Sequence, residues 1–267
     1  MFIEDKGYEE YKQSQSKNKL VKDIMSKNVV TVPEEATMLE AAKIMGKKHI
    51  GSLIVERKDA SWGIITERDL ISRTLGVDGK IAPVRVKECM STPLITISPD
   101  ISIKEAAKTM MTKKGRLVVC KDDKIVGVVT TSDLIKALPE SPETALNCSY
   151  YMTEKVVSLE EDSTILEAAE IMGKKRIGSV IVDREGEPFG IFTERDLLTN
   201  FLAEGKTLQS KLGECASEPL ITIPASTSIH QAAYAMASKH VRRLPVIEEN
   251  KMIGIITARD LVEAYTK

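Results

Sequence analysis

One octapeptide pattern governs what this 267-residue chain can fold into, because it occurs four times. GIITERDL starts at Gly63, GVVTTSDL at Gly127, GIFTERDL at Gly190 and GIITARDL at Gly254. Its threonines, Thr66, Thr130, Thr193 and Thr257, stand 64, 63 and 64 residues apart. A short apolar run closing on Thr-x-x-Asp-Leu predicts a buried strand that turns into a helix. The chain must therefore build four like units, each with its chemistry at that turn.

The rest of each period repeats as faithfully. An apolar strand comes first: VVTV from Val29, LITI from Leu94, VVSL from Val156 and LITI from Leu220. A helix follows, with apolar residues at helical spacing on one face: Met38, Ala41, Ala42 and Met45 in the first unit, Ile229, Ala232, Ala233 and Met236 in the last. Thr37-x-x-Glu40, Ser102-x-x-Glu105, Thr164-x-x-Glu167 and Ser228-x-x-Gln231 are capping boxes that start these helices. Two short strands joined by a polar turn such as KDDK or EENK come next, then the helix opened by Thr-x-x-Asp. The fold class expected is an α/β repeat of strand-helix-strand-strand-helix units, each a three-stranded sheet with two helices on one face.

Roughly 60 residues make a marginal core alone, so the units are expected to pair. Repeats 1 and 3 are near copies, MLEAAKIMGKKHIGSLIV against ILEAAEIMGKKRIGSVIV, which points to a duplicated pair. The division expected is a polar tail at 1–19, repeats at 20–78 and 79–138, a Pro-bearing joint at 139–146, and repeats at 147–204 and 205–267. The tail reads as mobile, with Phe2, Ile3, Tyr8 and Tyr11 as its apolar anchors.

Composition excludes several functions. With 38 basic and 39 acidic residues there is no cationic excess to hold nucleic acid. No apolar run approaches the about 18 residues of a membrane span, and the N-terminus lacks a signal core, so a cytoplasmic location is expected. Cys89, Cys120, Cys148 and Cys215 have no C-x-x-C spacing, which suits packed free thiols. His49, His230 and His240 are too dispersed for a metal centre. Neither a phosphate-binding glycine loop nor a nucleophile beside a base is present, so no catalysis and no cofactor are expected.

The fourfold G-h-h-T-x-x-D-L after its strand resembles the cystathionine-β-synthase (CBS) domain over residues 20–266. That family's domains occur as tandem pairs called Bateman modules, and the four-repeat layout is similar to the regulatory subunit of AMP-activated protein kinase. The resemblance implies two Bateman modules, clefts for an adenine nucleotide (AMP, ADP or ATP), and a regulatory role through an unidentified protein partner. It also implies roles for residues at matching positions. Asp69, Asp133, Asp196 and Asp260 would accept the ribose hydroxyls, and Thr66, Thr130, Thr193 and Thr257 would meet phosphate or a ribose hydroxyl. Thr31, Thr96, Ser158 and Thr222 would frame the base. The family's basic pair before the second strand is matched by Arg242 and Arg243 in repeat 4 and by Arg116 in repeat 2. Repeats 1 and 3 have Gly51-Ser52 and Gly178-Ser179 there, with His49 and Arg176 as substitutes.

Two further readings remain open: a ligand-free structural adaptor, and a binder of S-adenosylmethionine or another adenosyl compound. A homodimer is expected, with a monomer that closes four repeats within one chain as the alternative. Thr-x-x-Asp is also simply a capping box. Against that, the other four boxes use Glu or Gln, and Asp, one methylene shorter, is expected to reach back less well. Arg68, Arg195 and Arg259 are expected on the exposed helix face, and Trp62 in packing or a dimer contact.

Overall fold

The computed structural model describes residues 8–11, 19–59, 61–74, 84–113, 115–139 and 142–267. Phe2 and Ile3 lie outside them. Repeat 1 runs β1 (Thr31–Pro33), α1 (Met38–Lys48), β2 (Ser52–Glu56), β3 (Trp62–Thr66) and α2 (Glu67–Thr74). Repeat 2 runs β4 (Thr96–Ile97), α3 (Ile103–Lys113), β5 (Leu117–Lys121), β6 (Lys124–Val129) and α4 (Thr131–Ile135). Repeat 3 runs β7 (Ser158–Glu160), α5 (Ile165–Lys175), β8 (Ser179–Arg184), β9 (Glu187–Thr193) and α6, which starts as Glu194–Asp196 and continues as a π-helix, Leu197–Leu202. Repeat 4 runs β10 (Ile223–Pro224), α7 (Ile229–Ser238), β11 (Arg243–Glu248), β12 (Lys251–Thr257) and α8 (Ala258–Thr266).

Each repeat forms a three-stranded sheet in sequential order. The first two strands are parallel, so the chain needs the helix between them as a crossover. The last two form an antiparallel hairpin. In three repeats a two-residue turn with positive φ at both positions closes it: Asp122-Asp123, Glu185-Gly186 and Glu249-Asn250. That geometry matches the twist of the flanking strands. All four expected capping-box helices form, and their apolar stripes are buried.

The chain divides into two compact units that group alternate repeats. Unit 1 holds repeats 2 and 4, with residues 1–29, 95–156 and 221–267; unit 2 holds repeats 1 and 3, with residues 30–94 and 157–220. In unit 2, α1 packs on the π segment of α6, and α2 packs on α5. In unit 1, α8 packs on α3 and α4, and α7 on α4. The tandem relation appears in the connecting segments. Ser26, ahead of repeat 1, bridges Val128 of repeat 2, and Ser91, ahead of repeat 2, bridges Ile64 of repeat 1. Thr153 bridges Ile255 and Ser217 bridges Ile191 in the same way.

Helix contact explains a glycine that the repeats share but do not use alike. A Cβ on Gly46 would lie 2.5 Å from Ala203 Cβ, an atom that cannot swing away. On Gly173, in the near-copy helix, the nearest atom would be 3.6 Å off. Gly46→Ala should therefore destabilise by about 1–3 kcal/mol through overpacking. Gly173→Ala should stabilise by about 0.5–1 kcal/mol through helix propensity. Denaturant titration of the two variants reads the opposite signs.

The tail departs from its expectation. Tyr8–Tyr11 is helical and lies in unit 1, where both rings pack on His230 and Tyr234 of α7 at centroid distances of 5.1–5.6 Å. Tyr8 Oη is hydrogen-bonded to His230 Nδ1 at 3.0 Å, and Tyr11 donates its hydroxyl to the Ile135 carbonyl at 2.8 Å. The reason is that α4 has 5 residues where α8 has 9, so the tail covers aromatic surface that a longer α4 would cover. Burial pushes the Tyr11 phenol well above its usual range. Tyr11→Phe should cost about 1 kcal/mol, the usual worth of one hydrogen bond, as melting would show. The expected joint is packed as well. Pro142–Ala145 forms a 3-10 turn against α7 and α8, with Thr144 fully buried.

Cys89 and Cys148 are buried and Cys120 and Cys215 half-buried, all free thiols. Burial pushes the Cys148 thiol up to about 12. Among the described residues, no helix is long and apolar enough to cross a membrane and no group of three His, Cys, Asp or Glu side chains could hold a metal.

Candidate functional site

Strand register decides which side chains share a face. Opposite residues of an antiparallel pair project to the same side, as do residues two apart on one strand. Arg243 lies opposite Thr257, Ser52 opposite Thr66, and Ser179 opposite Thr193. The β5–β6 ladder ends at Leu117 opposite Val129, so one step further sets Arg116 beside Thr130. First-strand residues join the same face: Thr31 pairs with Ile54, two along from Ser52, Thr96 with Val118, and Ser158 with Ile181. Thr222 immediately precedes β10 and, by the register of Ile223 with Val246, falls on the face of Arg243. In every repeat the first-strand hydroxyl, the arm residue at the start of the second strand and the helix-capping threonine form one row.

At the end of that row the helix start is tightly organised. Each aspartate accepts both the backbone N–H and the hydroxyl of its threonine on one oxygen, Oδ2. The N–H distances are 3.0 Å for Asp69, 2.8 Å for Asp133, 2.9 Å for Asp196 and 2.8 Å for Asp260. The hydroxyl distances are 2.7, 2.7, 2.8 and 2.7 Å in the same order. The expectation that Asp reaches back less well holds by a small margin. Thr37, Ser102 and Thr164 donate their N–H to Glu40, Glu105 and Glu167 at 2.7, 2.9 and 2.7 Å. What distinguishes the aspartates is burial: all four are half-buried, whereas those three glutamates are exposed. Burial raises the Asp260 carboxyl above its ordinary value, partly offset by the two bonds from Thr257.

The supply of free amides is smaller than the helix start alone suggests. The first helical N–H donates to the arm carbonyl: Glu67 to Gly51, Glu194 to Gly178 and Ala258 to Arg242. In repeats 1 and 3 the aspartate N–H also bonds the threonine hydroxyl, at 3.4 and 3.3 Å. In repeat 2 the Asp133 N–H bonds the Thr130 carbonyl at 3.2 Å. In every repeat part of the helix start is thus already used.

The remaining candidates separate. Arg116, Arg242 and Arg243 are half-buried. Arg242 precedes the strand and contributes its carbonyl, whereas Arg243 stands in the row. His49 and Arg176 lie off the row. They are C-caps of α1 and α5 in the left-handed conformation, with φ of 52° and 55° and exposed side chains. His49 faces a cleft of about 410 Å³ in unit 2 with Lys43, Lys47, Thr199, Asn200 and Glu204. Thr31, Thr96 and Ser158 are exposed and Thr222 half-buried.

Arg259 is exposed as expected, but Arg68 and Arg195 are tied to glutamates of each other's repeat. Sequence reasoning passed over those glutamates, Glu67 and Glu194. The sign was there, because ERD stands in repeats 1 and 3 and neither TSD nor ARD keeps the Glu.

A model of the CBS domain matches residues 21–76, 86–140, 148–203 and 212–267. An uncharacterised protein of Methanocaldococcus jannaschii is 27% identical over 267 residues, covering 92% of this chain and 62% of its own length. The chain thus spans less than two thirds of that relative. A second M. jannaschii protein, whose crystal structure is described as that of a proposed archaeal homologue of g-AMPK, superposes with a TM-score of 0.74 at 22% identity, covering 92% of this chain and 99% of the other. A conserved Pyrococcus horikoshii protein gives 0.64 at 23% identity, with 92% and 100% covered. At these identities the structures speak for the fold.

Proposed function

The chain belongs to the CBS-domain family, and on that premise we propose that it is a non-catalytic sensor whose even repeats bind adenine nucleotides and pass their state to a partner protein. The observation that carries this reading is the row Thr222, Arg243, Thr257 and Asp260. It sets a cation, hydroxyls and a carboxylate raised by burial along one sheet face at a helix start. A ribose has two hydroxyl donors for that carboxylate, and Arg presents a planar fork to phosphate. Repeat 2 offers the same elements as Thr96, Arg116, Thr130 and Asp133. In repeats 1 and 3, Ser52 and Ser179 take the place of the cation, so those sites are weaker for phosphorylated ligands.

A ligand-free structural role is favoured for repeats 1 and 3 by Ser52 and Ser179, which stand opposite Thr66 and Thr193 where the even repeats carry an arginine. The packing of Tyr8 and Tyr11 on α7 supports a monomer of 29.5 kDa, since the dimer expectation rested on the tail and on Trp62, which is 38% exposed. Light scattering showing twice that mass would restore the dimer.

A melting screen tests the main reading. At about 100 times its dissociation constant, a ligand that binds the native state alone stabilises by roughly 2.7 kcal/mol. AMP, ADP or ATP should raise the melting temperature, and guanine nucleotides should do so less. Arg243→Ala should spare adenosine, weaken the phosphorylated ligands and flatten their salt dependence. If no adenosyl compound shifts the melt at millimolar concentration, the adaptor reading replaces this one.

A further inference from the structure

Glu67 and Glu194 take no part in the nucleotide row, yet among the described residues they are the buried acidic side chains. Each is the first residue of the helix that follows its threonine. A carboxylate removed from water needs a cation and hydrogen bonds to remain charged. Each finds them on the other repeat of unit 2. Arg195 donates from Nε to Glu67 Oε1 at 2.5 Å and from Nη1 to the His49 carbonyl at 2.9 Å. Arg68 donates from Nε to Glu194 Oε1 at 3.2 Å. The contact is isologous, with the Glu-Arg dipeptide of one repeat meeting the same dipeptide of the other. In repeats 2 and 4 these positions read Thr131-Ser132 and Ala258-Arg259. There Ala258 is buried in an apolar cluster and Arg259 points to solvent.

We infer that Glu67-Arg68 and Glu194-Arg195 form a matching code by which repeats 1 and 3 select each other as packing partners in preference to the even repeats. Set against repeat 2, an odd repeat would turn its glutamate toward Ser132 and bury the carboxylate without a cation, which is the costly case. Set against repeat 4, its glutamate would meet Arg259, but its own arginine would face Ala258 and one of the two ion pairs would be lost. Two even repeats carry no such demand. The rule is therefore like with like, and it operates whether or not any ligand binds. Because the code is self-complementary, an odd repeat deprived of its match inside the chain can find one on the same repeat of a second copy.

Charge exchange tests the code without touching Asp69 or Asp196. The half-swapped chain carries Glu67→Arg and Arg68→Glu, which sets like charges against each other at both contacts. The fully swapped chain adds Glu194→Arg and Arg195→Glu, which restores opposite charges in reversed polarity. The half swap should lower the melting temperature by about 10 °C or double the particle mass seen by light scattering, as each odd repeat turns to its counterpart in a second copy. The full swap should return both melting and mass to near the wild-type values. A half-swapped chain that melts and sizes like wild type overturns the inference, and so does a full swap as damaged as the half swap. Should the half swap fail to fold, the full swap still decides, since only a code is repaired by reversing both sides.

Discussion

Arg195→Ala is expected to destabilise the protein by about 3–5 kcal/mol, because it leaves the Glu67 carboxylate buried and uncompensated. The Glu67 side chain is 3% exposed, and Arg195 also holds the His49 carbonyl. Arg68→Ala should cost clearly less. Arg68 is 53% exposed against 31% for Arg195, and its partner Glu194 keeps 10% of its surface in water, so solvent screens more of that pair. The order of the two losses follows from burial and not from the sequence, where the dipeptides are identical. Replacing both partners together, Glu67→Leu with Arg195→Met, should recover most of the loss, because an apolar pair avoids the desolvation that the ions incur. Urea unfolding of the three variants gives the ranking, and equal losses for Arg195→Ala and Arg68→Ala would refute it.

Asp260→Ala is expected to weaken adenosine and its phosphates alike by about 1.5–3 kcal/mol, the worth of hydrogen bonds to a charged group. Asp260→Asn should lose much of the same affinity while leaving the ligand-free protein at least as stable as wild type at neutral pH. The reason lies in the titration of the carboxyl. Burial raises its folded-state pKa above the unfolded value, so the folded state holds its proton longer. Stability from this group is present below the unfolded aspartate pKa and is lost as pH rises through the folded one. At neutral pH the ionised carboxylate is therefore a cost, which Asn removes and which ribose hydroxyls would offset on binding. Affinity should fall as pH drops through the Asp260 titration, and the Asn variant should lack that dependence. Calorimetry of binding across pH, with melting curves of the ligand-free proteins, measures both halves. A variant that is less stable yet binds normally would place the carboxylate in the capping box alone.

Much of the candidate site was legible because its residues are local in sequence. Thr-x-x-Asp and its strand lie within eight residues of one another. The arm at the start of the second strand is joined to them by a hairpin, whose register a two-residue turn sets in repeats 2, 3 and 4. The reach argument pointed the right way but to a small effect, because the folded turn still brings both Thr66 bonds onto a single Asp69 oxygen, at 3.0 and 2.7 Å. For His49 and Arg176 the structure adds that each is the left-handed residue that ends its helix, so the chain turns between it and the strand that follows.

By itself the sequence determined the repeat, the order of elements within it, the capped helices and the buried stripes, since all of these follow from spacings of two to eight residues. Only the tertiary structure decided which helices meet. It grouped repeat 1 with 3 and 2 with 4, buried Glu67 and Glu194 against arginines more than 120 positions away, and laid Tyr8 and Tyr11 on α7. Those choices depend on shape and on charge removed from water at contacts between distant segments, and no local spacing records them.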